Sequence, residues 1–198
     1  GVSFGYIPDQ RILQKISMRL EQGKTYALVG PTGGGKTTTA SLMARLYDPT
    51  EGKILLQGKD LRSYTDEERT QRVGFILQEP FLFSGTILDN IFYGNQRYEK
   101  SSPEERRQVL KDAKLDSLLE RFNSDLDTKI APGGDSMSLG QRQLIAFMRA
   151  VLREPDVLIL DEATANIDTI TEQSLEEVVA ALPTKTTKVI IAHRLNTI

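Results

Sequence analysis

Near the N-terminus the apolar positions recur in short runs: residues 2–4, the alternating Ile16-Ser17-Met18-Arg19-Leu20, and residues 25–29. Such runs predict strands, and Glu21-Gln22-Gly23-Lys24 predicts the turn between the second and the third. The apolar spacing then becomes helical, with Leu42, Met43 and Leu46 on one side of a helix predicted over residues 36–46 and ended by Asp48-Pro49-Thr50-Glu51-Gly52. Residues 53–57 and 73–77 predict further strands, and between them Thr65-Asp66-Glu67-Glu68 has the spacing of a capping box at a helix start. From about residue 85 to about residue 155 the pattern is mostly helical and richer in charge. There Ser102-Pro103-Glu104-Glu105 places a cap, a first-turn proline and two acids where a helix start favours them. Val157-Leu158-Ile159-Leu160 is apolar throughout, as expected of a strand buried on both faces. A helix over about residues 169–182 follows, with Leu175, Val178, Val179 and Leu182 at core spacing, Pro183 ends it, and residues 188–192 predict a last strand.

Strands that alternate with helices predict an α/β fold with a mostly parallel sheet. The expected layout is an N-terminal antiparallel β part, a core at about 1–84 and 156–198, and a helical subdomain inserted at about 85–155. No internal repeat or low-complexity tract interrupts it.

Composition narrows the partners. Twenty-five Lys and Arg against 27 Asp and Glu give a net charge of -2, so nothing in the balance favours a nucleic-acid backbone as partner. The absence of cysteine excludes a disulfide framework and zinc held by thiolates, and fits a reducing compartment. No apolar stretch approaches membrane-spanning length and the N-terminus lacks the layout of a signal peptide, so any membrane role is expected to come through a partner or through chain outside this sequence.

The sharpest chemical signal is Gly30-Pro31-Thr32-Gly33-Gly34-Gly35-Lys36-Thr37, which fits G-x-x-x-x-G-K-[ST] and directly follows the strand predicted over residues 25–29. Glycines let such a loop fold into a concave nest of backbone N–H groups, and the helix behind it adds the positive end of its dipole. Lys36 is expected to bridge the β- and γ-phosphates of a nucleotide, and the Thr37 hydroxyl to ligate Mg²⁺. Asp161 and Glu162 close the apolar strand, where ligands bind in open α/β sheets. Asp161 suits a water-mediated hold on Mg²⁺, and Glu162 suits a base for a water attacking the γ-phosphate.

Other candidates stay double-edged on position alone. His193, the single histidine, ends the last predicted strand, where its imidazole is either a donor to the γ-phosphate or a structural group. Gln78 follows the strand over 73–77, where its amide either reaches the metal and the attacking water or faces solvent. Ser138-Leu139-Gly140-Gln141 has capping-box spacing ahead of a helix carrying Leu144, Phe147, Met148 and Val151 on one face, so its N-terminus is either an anion site or simply well capped.

Taken together the pieces resemble the nucleotide-binding domain of ATP-binding cassette (ABC) transporters, in the family's order and over almost the whole chain. The resemblance implies a P-loop NTPase fold with a RecA-like core and an ATPase that uses ATP and Mg²⁺. Residues 30–37 look like the Walker A motif, with Thr38 beside it, residues 158–161 like Walker B, Glu162 like the catalytic base, Gln78 like the Q-loop and His193 like the switch histidine. Met137-Ser138-Leu139-Gly140-Gln141 falls where the signature belongs, Asn166-Ile167-Asp168 looks like the D-loop, and Tyr6 matches the aromatic that stacks on adenine. The stretch Gln78-Glu79-Pro80-Phe81-Leu82-Phe83-Ser84-Gly85-Thr86-Ile87 is similar to exporters, whose corresponding region meets the transmembrane domain. The resemblance further implies a place on the cytoplasmic face of the cell membrane and head-to-tail pairing with a second nucleotide-binding domain.

Three departures accompany it. Leu139 stands where the signature has its first glycine, which implies a non-identical partner domain and one composite site that hydrolyses poorly. Ala131-Pro132-Gly133-Gly134 lacks the acidic and basic residues usual before an exporter signature. The sequence also stops just past His193, so the C-terminal part of the usual domain is expected to be missing. Two rival functions keep the same nucleotide chemistry: a soluble ABC ATPase acting on nucleic acid or ribosomes, disfavoured by the balanced charge, and a non-hydrolysing regulatory module, disfavoured by the presence of Lys36, Asp161, Glu162 and His193.

Overall fold

The computed structural model of the protein describes residues 1–77, 79–115, 118, 125–131, 136–161, 178–179 and 182–191. These fall into two compact units. One holds Gly1–Phe75 with the described residues of Pro155–Glu162 and Thr184–Ile198, the other the described residues of Ile76–Glu154 and Ala163–Pro183. Among the described residues no helix is long and apolar enough to cross a membrane.

The first unit is built on a sheet with strand order β3 (Thr25–Leu28), β10 (Thr187–Ile191), β9 (Val157–Asp161), β6 (Val73–Ile76). β10 runs parallel to both β3 and β9, so the expected parallel α/β core is present. In β9 the consecutive residues Leu158 and Ile159 are both fully buried, which requires cover on both faces. Helix α1 (Lys36–Met43) places Ala40 in a core with Ile159, Val189, Ile191, Leu61, Tyr64 and Val73. Before it, β1 (Val2–Phe4) and β2 (Leu13–Ile16) form an antiparallel pair that packs Phe4 and Leu13 on Leu42.

Several boundaries differ from the pattern-based expectation. The second strand is Leu13–Ile16 instead of the alternating residues 16–20, because its pairing is set by β1, whose Val2 meets Ile16 and whose Phe4 meets Leu13. Helix α1 stops at Met43, short of Leu46. Arg45 takes a left-handed φ of 52°, its N–H donates to the Leu42 carbonyl at 3.0 Å, and the Leu46 N–H reaches back to Ser41 at 2.8 Å. That is a Schellman stop, reached through an arginine instead of the usual glycine. Residues 53–57 do not make one strand; β4 (Leu55–Leu56) turns through Gln57 (φ 52°) and Gly58 (φ 82°) into β5 (Lys59–Asp60). Two successive positive φ angles are what a two-residue hairpin with the sheet's twist demands. Helix α2 (Asp66–Arg72) starts on the expected Thr65 and Glu68 capping box.

In the second unit β7 (Gly85–Thr86) pairs antiparallel with β8 (Lys129–Ile130), a contact of distant sequence that no local pattern announced. Helices α3 (Ile87–Phe92), α4 (Pro103–Asp112) and α5 (Leu139–Val151) each begin with a capping box, on Thr86 and Asp89, Ser102 and Glu105, and Ser138 and Gln141. In α5 the predicted face of Leu144, Phe147, Met148 and Val151 is buried, and Gln143 and Ile145 are buried as well, so the helix is covered on more than one side. The helix expected over about 169–182 lies mostly outside the described residues; of its core positions Val178 and Val179 are half-buried and Leu182 is buried.

Candidate functional site

The phosphate loop leaves β3 after Leu28 and runs over Val29 and Gly30-Pro31-Thr32-Gly33-Gly34-Gly35 into α1. Gly33 (φ 79°) and Gly35 (φ 78°) take left-handed backbone that an L side chain rarely adopts. At Gly35 a Cβ would also stand 2.7 Å from Leu13 Cδ2 and displace that side chain, so the backbone angle is what favours glycine most strongly. The Gly34 N–H donates to the Pro31 carbonyl at 3.1 Å and closes the bend.

One contrast sets this helix apart. Helices α2, α3, α4 and α5 each satisfy their first N–H groups with a Ser or Thr capping box, whereas α1 starts on Gly35 with no side-chain cap and no acid in its first turn. The uncapped amides and the dipole end therefore face whatever lies against the loop. Lys36 adds a positive charge there: its buried ammonium donates to the carbonyls of Gly30 and Pro31, each at 2.9 Å. Amides, dipole and ammonium all favour an anion, and nothing in the first turn opposes one.

Thr37 is exposed in the first turn of α1, while Thr38 is buried. The Tyr6 hydroxyl donates to Thr38 Oγ1 at 3.3 Å, which anchors a ring that is 48% exposed beside the helix of the loop. Phe4 lies edge-on to that ring at 5.0 Å and Tyr47 at 5.1 Å. Tyr47, itself exposed, is missing from the sequence reading; an aromatic just beyond a helix end carries no signal until the fold brings it against Tyr6.

Sheet register brings in the acid. β3 Leu28 pairs with β10 Ile191, and Ile191 pairs with β9 Asp161, so the last residue before the loop and the acid lie on one rung, two strands apart. Strand spacing makes that separation about 10 Å along the rung, at the carboxyl end where an α/β sheet binds its ligands. Asp161 is buried there. A hydroxyl at Thr37, a carboxylate at Asp161 and an ammonium at Lys36 are a donor set suited to a polyphosphate with a hard cation that prefers oxygen ligands. Gln78, Glu162, Asp168 and His193 lie outside the described residues.

In the second unit the start of α5 carries the other candidates. Ser138 Oγ accepts the Gln141 N–H at 3.2 Å, and Gln141 Oε1 accepts the Ser138 N–H at 3.0 Å. One first-turn amide is thus already satisfied, yet the serine hydroxyl keeps its proton for a further acceptor. Leu139, half-buried, occupies the first helical position and Gly140 the second.

The tightness of the loop has a measurable consequence. Gly35→Ala adds a left-handed alanine, about 1–2 kcal/mol, and forces Leu13 to shift, so a fall in melting temperature of roughly 3–8 °C is expected by calorimetry. An unchanged melting temperature would mean that the loop tolerates a Cβ there.

A family model described as "ABC transporter" matches residues 13–165. The "Uncharacterized ABC transporter ATP-binding protein YfiC" of Bacillus subtilis (strain 168) is 47% identical over 197 residues, covering 100% of this chain and 32% of that protein. A "Fatty acid ABC transporter ATP-binding/permease protein" of Mycobacterium bovis (strain ATCC BAA-935 / AF2122/97) is 38% identical over 197 residues, again over 100% of this chain and 31% of its own length. Among solved structures, "Structure of a bacterial Atm1-family ABC exporter with ATP bound" superposes with a TM-score of 0.86 at 37% identity, covering 99% of this chain and 34% of that one. The chain therefore spans about a third of the length of these relatives.

Proposed function

The chain belongs to the ABC transporter family, and on that premise we propose that it binds ATP with Mg²⁺ and hydrolyses it to power an exporter of which it forms the nucleotide-binding part. The observation that carries this reading is the start of α1, the one helix of α1 to α5 without a side-chain cap, set beside the Lys36 ammonium. Tyr6 offers its exposed ring to the adenine, the free backbone N–H groups between Thr32 and Thr38 and the Lys36 ammonium take the phosphates, and Thr37, Asp161 and Gln78 hold the cation. Mg²⁺ held there would supply positive charge to offset the charge that builds on the phosphate oxygens. Glu162 then accepts the proton of a water whose oxygen bonds to the γ-phosphorus as the bond to the bridging oxygen of ADP breaks, and His193 donates to the γ-phosphate.

The ATP-binding/permease protein among its relatives and the Atm1-family exporter among the solved structures support a transmembrane partner, in the same polypeptide, and a place on the cytoplasmic face of the cell membrane. They also support the exporter over a soluble ATPase on nucleic acid. The domain division proposed is a nucleotide-binding core at about 1–84 and 156–198 with the helical subdomain at about 85–155. Ser138, Gly140, Gln141 and Asp168 would serve the ATP held by a second nucleotide-binding domain. The native complex that contains the full-length gene product, in lipid, is expected to release phosphate from ATP, with turnover falling to background when EDTA removes Mg²⁺. Absence of ATP hydrolysis would sink the reading.

Leu139 favours a specific form of the complex. A branched side chain at the first helical position keeps the backbone from the close approach to a γ-phosphate that glycine permits, so the second domain is non-identical and the site facing Leu139 hydrolyses poorly. Purification of the native complex is expected to bring down a different nucleotide-binding subunit with an intact signature. A homodimer that turns over ATP equally at both sites would overturn this form.

A further inference from the structure

Outside the nucleotide site, the second unit holds two arginines whose position is costly and purposeful. Arg149 and Arg153 stand one turn apart at the C-terminal end of α5 and just beyond it, both half-buried. Arg149 Nε donates to the Asn90 carbonyl at 2.7 Å, Nη2 to Asn90 Oδ1 at 3.3 Å and Nη1 to the Phe81 carbonyl at 3.4 Å. Arg153 Nη2 donates to the Tyr93 carbonyl at 2.6 Å. The Asn90 and Tyr93 carbonyls sit at the end of α3, where a helix presents orphan acceptors and negative charge, so the two guanidiniums act together as its C-terminal cap.

Asn90 is itself a hub. Its Oδ1 accepts the Phe83 N–H at 2.8 Å, and its Nδ2 donates to the carbonyls of Phe83 at 2.8 Å and Thr86 at 3.0 Å. Phe83 stacks on Tyr93 at 3.9 Å and 18°, and the Arg149 guanidinium lies 5.7 Å from each ring centre. Residues 81–93 are thereby wired into one body, whose outer side shows Phe81, 58% exposed, and Tyr93, 49% exposed.

Arg149 donates to two carbonyls and a side-chain amide oxygen and lies against two aromatic rings, and burial pushes its pKa down to about 10. A guanidinium desolvated in this way does little for stability compared with an apolar side chain of similar size. What it offers is geometry: a planar fork whose three nitrogens reach residues 81 and 90 in fixed directions, which a single ammonium nitrogen does not reproduce. The other end of α5 is Ser138 and Gly140, and 13 residues of helix form a stiff rod roughly 20 Å long.

We propose that Arg149, seconded by Arg153, is a positioning residue that locks segment 81–93 to the signature helix, so that a displacement of that segment by the membrane partner is delivered to Ser138 and Gly140. The proposal rests on the exporter reading, in which the segment meets the transmembrane domain. It explains why the most exposed aromatics of the segment stand on the body that the two arginines hold.

The test compares the native complex in lipid nanodiscs with this chain as wild type, Arg149→Lys, Arg149→Gln and Arg153→Gln, with Lys36→Ala as the background control, and reads kcat and KM for ATP hydrolysis and the melting temperature. The lock predicts that Arg149→Lys lowers kcat at least fivefold while KM stays within twofold and the melting temperature within about 2 °C, because lysine still caps α3 but lacks the three directed donors that hold residues 81 and 90 in one geometry. Arg149→Gln is expected to fall further, and Arg153→Gln less. Wild-type kcat in Arg149→Lys overturns the lock and leaves the exporter reading intact. A loss of kcat that tracks a matching fall in melting temperature also overturns it, as a purely structural effect. No difference between wild type and Lys36→Ala overturns the exporter reading and the lock with it.

Discussion

Lys36→Ala is expected to weaken ATP binding by at least about tenfold and to bring turnover to background. The side chain is buried within the loop and its ammonium already lies 2.9 Å from two loop carbonyls, so it needs no large rearrangement to face a phosphate. A hydrogen bond to a charged group contributes roughly 1.5–3 kcal/mol, and the loss of one or two of these corresponds to about one to four decades in affinity at about 1.4 kcal/mol per decade. Removing the ammonium also releases the staple between residue 36 and the carbonyls of Gly30 and Pro31, which loosens the bend that aims the amides. Isothermal titration with ATP and Mg²⁺ reads the effect directly. Arginine is not expected to rescue it, because a planar fork does not fit where a compact ammonium bridges two adjacent carbonyls. Affinity within threefold of wild type would remove the loop from the binding site.

Glu162→Gln is expected to separate binding from chemistry. Glutamine keeps the size and hydrogen-bonding reach of the side chain but cannot accept a proton, and removing a general base costs about 100- to 10,000-fold in turnover. The phosphate contacts proposed for Lys36 and the loop amides do not involve Glu162, so the affinity for ATP is expected to remain within about threefold by titration. The prediction draws on sequence adjacency: Glu162 follows Asp161, which ends β9 on the rung of Leu28 and Ile191. Single-turnover phosphate release, measured beside binding, distinguishes a lost base from a lost site. Near-normal turnover would take Glu162 out of that role.

Legibility followed the range of the interaction. Capping boxes were readable at Thr65, Ser102 and Ser138 because cap and acceptor are three residues apart and the geometry is closed within one turn. The buried strand of residues 157–160 was readable because continuous apolarity leaves no polar face to expose. The end of α1 was not, since Arg45 adopts a left-handed conformation that composition assigns to glycine. Nor was the hairpin through Gln57 and Gly58, where glutamine takes a positive φ usually left to Asn, Asp or Gly.

By itself, the order of residues determined the parts: an uncapped, glycine-rich entry to a helix with a lysine in it, acids at the end of an aliphatic strand, and several self-capped helices. These depend on neighbours within a turn or two, so local chemistry suffices. Only the tertiary structure decided that Leu28, Ile191 and Asp161 share a rung, that Tyr6 is pinned to Thr38 beside Tyr47, and that Arg149 reaches Asn90 and Phe81. Those pairings join residues up to more than a hundred positions apart, and their register is set by packing of the whole core, which no window of sequence contains.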